Sequence, residues 1–283
     1  MSLSDRTWRV KDLSVPLRSP LVMGILNATP DSFHVASRVN VDAALRLAEG
    51  MLVDGAGILD IGGASSRPGS VEVSEAEEMQ RVLPVIEAVH QRFPDALLSI
   101  DTYRAKVARE AVGVGAGLVN DISAGLFDPS MISTVATLHV PYVLMHMQGT
   151  PATMQQAPLY SDVAIEVTRF LSDRSNACRA AGIADVVVDP GFGFGKTTAH
   201  NYTLLRELPR IVALGMPVLV GLSRKRMITE LLGIRSGDAL NGTTVLNTLA
   251  LVNGACILRV HDVKEAVECA KIVGAMEPGT QRA

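Results

Sequence analysis

Short runs of β-branched and other apolar residues recur along the chain and alternate with longer segments in which apolar residues return every three or four positions. The first pattern is typical of buried parallel strands and the second of amphipathic helices, so their alternation predicts a parallel sheet with helical crossovers. Eight runs are predicted to be strands: 21–27, 58–63, 97–102, 118–121, 142–146, 186–191, 217–223 and 256–262.

The segments 41–54, 74–92 and 263–276 are among those with a helical period. Within the second, Ser74 followed by Glu77 matches a capping box at a helix start. Eight consecutive strand and helix units favour a closed (β/α)8 barrel over an open doubly wound sheet, the alternative for eight parallel strands. A barrel of about 250 residues commonly forms one domain. We therefore predict an α/β fold, a single (β/α)8 TIM barrel spanning 1–283, with 1–18 as an N-terminal extension.

Composition narrows the class of protein. Hydrophobic residues make up 48% of the chain and charged residues 19%, so a large core can form and disorder is not expected. The net charge of −3 and the lack of a Lys/Arg run argue against nucleic acid as a partner. The sequence has no apolar stretch of membrane-spanning or signal-peptide length, which predicts no membrane partner and a cytoplasmic location. Three cysteines at spacings that match no zinc motif are expected to be reduced thiols.

Polar side chains stand at the ends of nearly all the predicted strands, where a barrel carries its catalytic groups. They are Asn27, Asp101, Asn120, Asp121, His146, Asp189, Ser223, Arg259 and His261. Any one of them could simply cap the following helix, but together they predict a single mouth. Because side chains alternate along a strand, Arg259 and His261 should project to the same side, and with Asn27 they predict an anion site.

Three loops add to this picture. In 65–69 (SSRPG), Arg67 offers a planar fork for phosphate or carboxylate, although the segment could be a plain turn. In 189–196 (DPGFGFGK), glycines would let the backbone approach a ligand and Phe194 would supply an aromatic wall; the spacing fits neither the Walker A motif nor GxGxxG. In 223–226 (SRKR), a hydroxyl and three cations at a helix start predict anion binding, or else a solvated basic turn.

The histidine in 145–149 (MHMQG) stands between two methionines. A lone histidine there is more typical of a packed wall than of a metal ligand or a base. We assign His146 no catalytic role.

Eight segments, each at the end of its own predicted strand, together resemble the dihydropteroate synthase family. They are 23–33 (MGILNATPDSF), 62–69 (GGASSRPG), 99–102 (SIDT), 119–122 (VNDI), 145–149 (MHMQG), 188–196 (VDPGFGFGK), 223–225 (SRK) and 259–262 (RVHD). The resemblance spans almost the whole chain. It implies a pterin-binding barrel that acts in folate biosynthesis, joining 6-hydroxymethyl-7,8-dihydropterin diphosphate to p-aminobenzoate and releasing pyrophosphate and 7,8-dihydropteroate.

The resemblance also implies roles for single residues. The pterin ring would be bound by Asp101, Asn120, Asp189 and Lys225. The diphosphate would be bound by Arg67, Arg259 and His261, with Mg²⁺ as cofactor on Asn27. The p-aminobenzoate would lie near Ser66, Pro68, Phe194 and Ser223. The groups expected to act in catalysis are Arg67, Lys225, Arg259 and His261. The family further implies a homodimer and competition by sulfonamides.

Two departures from the family pattern leave alternatives open. The first loop reads Ser-Phe-His-Val-Ala-Ser over 32–37, where the family usually has Ser-Phe-Ser-Asp-Gly-Gly, and Ala64 replaces a common glutamate. The altered loop is the reason to consider a non-catalytic pterin-binding paralogue. A pterin-dependent methyltransferase is a further alternative, but it has no diphosphate to bind, so Arg67 and the SRK loop argue against it.

Overall fold

Eight parallel strands form the centre of this computed structural model, which describes residues 7–10, 13–16, 20–28, 37–64, 73–154 and 156–276. Ahead of them, β1 (Thr7–Val10) and β2 (Leu13–Pro16) make an antiparallel hairpin within the predicted extension. The eight strands are β3 (Leu21–Asn27), β4 (Ile58–Gly62), β5 (Leu97–Asp101), β6 (Leu118–Asp121), β7 (Tyr142–Met145), β8 (Val186–Asp189), β9 (Leu219–Val220) and β10 (Ile257–Val260).

The strands follow each other around a barrel. Their order is β8-β7-β6-β5-β4-β3-β10-β9, and a parallel bridge between Val188 and Val218 joins β9 back to β8. The predicted (β/α)8 barrel is therefore confirmed. The run 217–223 forms a much shorter strand than predicted, in part because Pro217 has no N–H to donate to a ladder.

Helices connect the strands on the outside. They are α1 (Ser37–Val53), α2 (Glu75–Arg92), α3 (Ala105–Gly113), α4 (Met131–Leu138), α5 (Val163–Ala180), α6 (Thr198–Arg206), α7 (Leu208–Val212), α8 (Arg226–Leu232), α9 (Leu240–Val252) and α10 (Val263–Gly274), with a 3₁₀ turn at Ser236–Asp238. Ser74 Oγ accepts the Glu77 N–H at 3.2 Å, which is the hydroxyl half of the predicted capping box. In the described part of the chain, no helix is long and apolar enough to cross a membrane.

The inside of the barrel has an apolar end and a polar end. At the N-terminal end of the strands, Met23, Ile58, Leu97 and their neighbours form a closed apolar cluster that includes Trp8 from the hairpin. Two residues further along several strands, inward positions become polar, as at Asp60 and Ser99, which are register partners on β4 and β5. A larger apolar core fills most of the space between strands and helices.

Candidate active site

A network of ion pairs and hydrogen bonds joins β4, β5, β6 and β10 across the barrel interior. Arg259 Nε lies 2.6 Å from Asp60 Oδ2, and Arg259 Nη2 lies 2.6 Å from Asp101 Oδ2. The amide of Asn120 donates to the same Asp60 oxygen at 3.0 Å. The structure thus brings together the predicted residues Asp101, Asn120 and Arg259, and it adds Asp60.

The charged groups in this network shift one another's pKa values. Burial disfavours the charge on Arg259, but the Asp60 and Asp101 carboxylates outweigh this effect and raise its pKa above the ordinary value. Burial raises the pKa of Asp101 to about 7, although Arg259 lowers it. Arg259 therefore stays cationic, whereas Asp101 can take up a proton near neutral pH.

Asp189 and Lys225 face each other at the end of β8 and the start of α8. Asp189 Oδ1 accepts the Gly191 N–H at 2.7 Å, and burial raises the pKa of this carboxyl to about 6. Burial, with Arg259 nearby, lowers the pKa of Lys225 to about 8, and Asp189 and Asp101 act against that shift. Because Arg259 shifts the pKa of Asp101, Asp189 and Lys225, these four predicted residues belong to one electrostatic cluster.

Phe194 stands beside this cluster. Lys225 Nζ lies 4.3 Å from the centre of its ring, a cation–π distance. Gly193 makes room for the lysine, because a Cβ atom there would lie 3.1 Å from Lys225 Cδ. The aromatic wall predicted from the DPGFGFGK segment is thus in place against a cation.

The other glycines of this loop have a different use from the one predicted. A Cβ atom at Gly191 would lie 1.9 Å from the carbonyl oxygen of His146, and one at Gly195 would lie 2.4 Å from that of Gln148. Both glycines have positive φ, at 70° and 61°. They let the loop pack against the segment after β7.

Lys196 links the 191–195 loop to the segment after β7 through hydrogen bonds. Its buried ammonium lies 2.9 Å from His146 Nδ1 and donates to the carbonyl oxygens of Gly191 at 2.9 Å and Phe194 at 3.1 Å. Burial lowers the pKa of Lys196 to about 7, and burial together with Lys196 lowers that of His146 to about 2. His146 is neutral and packs edge-on against Phe170, as expected for a wall residue.

Ser223 and His261 join the ends of β9 and β10. Ser223 Oγ lies 3.0 Å from His261 Nδ1, and the His261 N–H donates to the same hydroxyl at 3.3 Å. This pairing fixes the histidine beside the serine. Both predicted residues lie at the mouth. Ser223 follows β9, and His261 follows β10, the strand that carries Arg259.

The SRKR loop contributes fewer cations to the mouth than predicted. Arg224 pairs with Asp262, and Arg226 pairs with Glu230 on the outer surface of α8. Lys225 is the member of the three that faces Asp189 and Phe194. The structure therefore places one cation of this loop at the mouth, and not three as expected.

Asp121 does not belong to the mouth, contrary to the prediction. Its carboxylate accepts from the Ser123 and Gly125 N–H groups at 2.7 Å and from the Tyr142 hydroxyl at 2.6 Å, in the layer between strands and helices. Burial raises its pKa. Asn120 points into the barrel, so its successor on the same strand must point outward. Asp121 has a structural role.

Asn27 ends β3 at a partly exposed position beside Gly62 of β4. Ser66, Arg67 and Pro68 lie outside the described residues, as do positions 32–36 of the altered first loop. Ala64 is described, and Glu78 packs against the adjacent Gly63 and is paired with Arg104. Because its carboxylate is paired with Arg104, Glu78 does not replace the glutamate that the family commonly has at position 64.

Asp60 and Lys196 are the two residues that the sequence argument missed. An acidic residue inside an apolar run such as ILDIGG is itself a signal, because a charge is rarely buried without a partner. The described ranges contain no cluster of three or more His, Cys, Asp or Glu side chains that could hold a metal.

Comparison with known proteins agrees with this geometry. Residues 23–261 match the family described as pterin binding enzyme. The dihydropteroate synthase of Escherichia coli (strain K12) is 47% identical over 266 residues, covering 93% of each chain.

Two solved structures are similar throughout. The Yersinia pestis dihydropteroate synthase with a sulfonamide drug complex superposes with a TM-score of 0.90 at 46% identity, over 95% of this chain and 98% of that one. The Xanthomonas albilineans dihydropteroate synthase in complex with 7,8-dihydropteroate gives a TM-score of 0.86 at 42% identity, over the same shares. The present chain therefore belongs to the pterin-binding enzyme family and, within it, to the dihydropteroate synthases, which are transferases.

Proposed function

We propose that the chain joins 6-hydroxymethyl-7,8-dihydropterin diphosphate to p-aminobenzoate, yielding 7,8-dihydropteroate and pyrophosphate for folate biosynthesis. The observation that carries the proposal is that acceptors for a pterin ring and cations for a diphosphate lie in one electrostatic cluster, formed by Asp101, Asn120, Asp189, Lys225 and Arg259. The Xanthomonas albilineans relative was solved with 7,8-dihydropteroate, which is the product expected here.

The pterin ring would be recognised through its amino-pyrimidinone edge, which carries adjacent N–H donors. Asp189 Oδ2 and Asn120 Oδ1 accept no hydrogen bond from any described residue, so both are available to these donors. Asp101 would bind the ring from β5, and Lys225 would donate to its polar edge. A ring that left these buried groups unpaired would be rejected, which makes the site selective.

Arg259 and His261 would bind the diphosphate, with Arg67 of the SSRPG loop as a third partner. In the reaction the methylene C–O bond breaks, and its electron pair leaves on the pyrophosphate. The lone pair of the p-aminobenzoate nitrogen forms the new C–N bond, and the nitrogen then loses a proton to water. The neutral aniline is already nucleophilic, so stabilisation of the leaving group and positioning of the nucleophile would supply most of the catalysis.

Asn27 is proposed as the protein ligand of Mg²⁺. Magnesium prefers oxygen ligands and is usually held by one or two protein groups together with substrate phosphates. Asn27 offers a single amide oxygen at a partly exposed position, and such a site suits an ion that takes its other ligands from water and phosphate. A closed cage of carboxylates would suit it less well. Bound there, the ion would neutralise charge on the diphosphate.

The p-aminobenzoate is placed at the rim of the mouth. Ser223, at the end of β9 and just before α8, would bind its carboxylate, while Phe194 would pack against its ring together with Ser66 and Pro68. The assignment of Phe194 is supported by the Lys225 ammonium over its ring, since Lys225 is proposed to bind the pterin. Sulfonamides would then compete with p-aminobenzoate, and the Yersinia pestis relative was solved with such a drug.

A homodimer through α9 is proposed as well. Val245, Leu249 and Val252 recur every three or four residues along that helix and are each about half exposed. An apolar stripe of this kind is typical of an interface between copies. Leu249→Glu should convert a dimer into a monomer in light scattering after size-exclusion chromatography, and a wild-type chain that is monomeric at micromolar concentration would contradict the proposal.

The function is tested by incubating the chain with the pterin diphosphate, p-aminobenzoate and Mg²⁺ and measuring dihydropteroate and pyrophosphate. We expect product that depends on both substrates and on the metal. Arg259→Gln should abolish most turnover, whereas the matched control Arg226→Gln, on the outer surface of α8, should retain it.

Other outcomes identify the alternatives. Tight pterin binding with no product would identify a non-catalytic paralogue with the altered first loop. Methyl transfer from a methylated pterin, without pyrophosphate release, would identify a methyltransferase.

A further inference from the structure

We infer that Asp60 is a positioning residue that orients Asn120 and Arg259 together and so couples pterin binding to diphosphate binding. The inference rests on the proposed function, because it assigns those two residues to the two halves of one substrate. Asp60 itself lies beneath them in the barrel interior and touches neither half.

One carboxylate oxygen of Asp60 accepts hydrogen bonds from both Arg259 and Asn120. Asp60 is completely buried, and its Oδ2 accepts from Arg259 Nε at 2.6 Å and from Asn120 Nδ2 at 3.0 Å. Its Oδ1 has no hydrogen-bond partner among the described residues. A shift of Oδ2 would therefore move the supports of Arg259 and Asn120 at the same time.

For Asn120 the consequence is a fixed amide orientation. An amide has one donor end and one acceptor end, and a carboxylate can be paired only with the donor end. Asp60 therefore holds Nδ2 toward itself and leaves Oδ1 for the ligand. Together with Asp189 Oδ2, this gives two acceptors for the N–H donors of an amino-pyrimidinone ring, and a flipped amide would give only one.

For Arg259 the consequence is a guanidinium held at two points. Nε is fixed by Asp60 and Nη2 by Asp101, so the planar head is set and its remaining N–H groups are left for an anion. A guanidinium held in this way loses less freedom when it binds a phosphate. Asp60 is the residue common to this anchor and to the amide of Asn120.

Asp60→Leu is the test, since it keeps the branched shape of the side chain and removes the acceptor oxygen that Arg259 and Asn120 share. We expect Kd for 6-hydroxymethylpterin to rise about tenfold, as for the loss of one oriented buried hydrogen bond. In an Asn120→Ala background, the same change should leave that Kd unaltered. Binding of inorganic pyrophosphate should weaken likewise, and this effect should vanish in an Arg259→Gln background.

Ser99→Ala is the matched control. Ser99 is the register partner of Asp60 in the same buried layer, and its Oγ has no partner within the described ranges. Its loss should change neither Kd by more than about twofold, because it supports neither group. Urea unfolding of every variant verifies that it is folded.

If Asp60→Leu does not fold, Arg259→Gln gives a second readout. It should weaken the binding of 6-hydroxymethylpterin, which carries no phosphate, and this effect should shrink in the Asn120→Ala background. Equal effects in both backgrounds, in either experiment, would overturn the inference and leave Asp60 as a structural residue. A wild-type chain that binds neither ligand would instead refute the proposed function.

Discussion

Lys196 and Lys225 lie beside the same aspartate, but Lys196 is buried with a fully hydrogen-bonded ammonium, whereas Lys225 is partly exposed. Burial lowers the pKa of Lys196 to about 7 and that of Lys225 to about 8, and Asp189 acts on both. The ammonium of Lys196 is saturated by His146 Nδ1 and two backbone carbonyls. The Lys225 ammonium makes no hydrogen bond to any described residue and lies over the Phe194 ring.

The difference teaches how to distinguish a structural cation from a functional one. A partly buried donor without a protein partner still costs free energy, so it persists in a fold when a ligand or another function requires it. A saturated donor stabilises the loop that surrounds it and has no capacity left for a substrate. On this argument Lys196 maintains the shape of the 191–195 loop, and Lys225 acts on the pterin.

Lys225→Met should produce the largest effect on activity. It removes the unpaired cation while keeping most of the side-chain volume, and the loss of a charge-assisted hydrogen bond to substrate should lower kcat/KM about 100-fold. The free energy of unfolding should stay the same or rise, because Met buries no charge near Arg259. Steady-state kinetics and urea unfolding measure the two quantities, and Arg226→Met is the control. A large loss of stability would place Lys225 with the structural cations.

Lys196→Met should show the reverse pattern. Removing the ammonium leaves buried carbonyls without a donor, and we expect the free energy of unfolding to fall by about 2 kcal/mol. The change is measured by urea denaturation, with the 191–195 loop followed by hydrogen exchange. Unaltered stability together with a loss of kcat would mean that Lys196 takes part in the reaction instead.

The pH profile sharpens the comparison further. The Lys225 pKa of about 8 means that its charge is lost as pH rises through that value, so kcat/KM should fall about fivefold between pH 8 and 9. Lys225→Arg should move this decline to higher pH, since a guanidinium does not titrate there. A decline that persists in the arginine variant would assign it to another group.

Phe194→Leu should produce the smallest effect. It removes the aromatic face beneath Lys225 and keeps an apolar wall, and a cation–π contact is worth about 1 kcal/mol at a partly exposed site. KM for the pterin diphosphate should rise about threefold to fivefold. No change in KM, with the Lys225→Met effect intact, would show that the ring does not help to place the lysine.

The barrel could be predicted from the sequence because each strand is an apolar run between helical segments. The strands 21–27 and 118–121 were predicted with their observed bounds, and errors elsewhere are confined to strand ends, as at 217–223. The hairpin of β1 and β2 was not predicted. Its strands have no helical segment between them, and the alternation of strands with helical segments was the signal used for the barrel.

The candidate site was predicted less completely, because sequence does not give the direction of a side chain. Alternation correctly placed Arg259 in the barrel, but it was not applied to Asn120 and Asp121, which are adjacent and must point to opposite sides. Asp60 was overlooked because its partner, Arg259, is 199 residues away in the chain. Such contacts are set by strand register, which only the folded barrel reveals.

The position of Trp8 gives the molecule a built-in optical reporter. Trp8 is the chain's single tryptophan, and its indole is almost fully buried in the apolar cluster at the N-terminal end of the barrel, opposite the mouth. Its emission therefore reports whether the hairpin is docked on the apolar end of the barrel. Fluorescence and turnover thus monitor opposite ends of one molecule, so unfolding that begins at the apolar end can be separated in time from loss of the catalytic end.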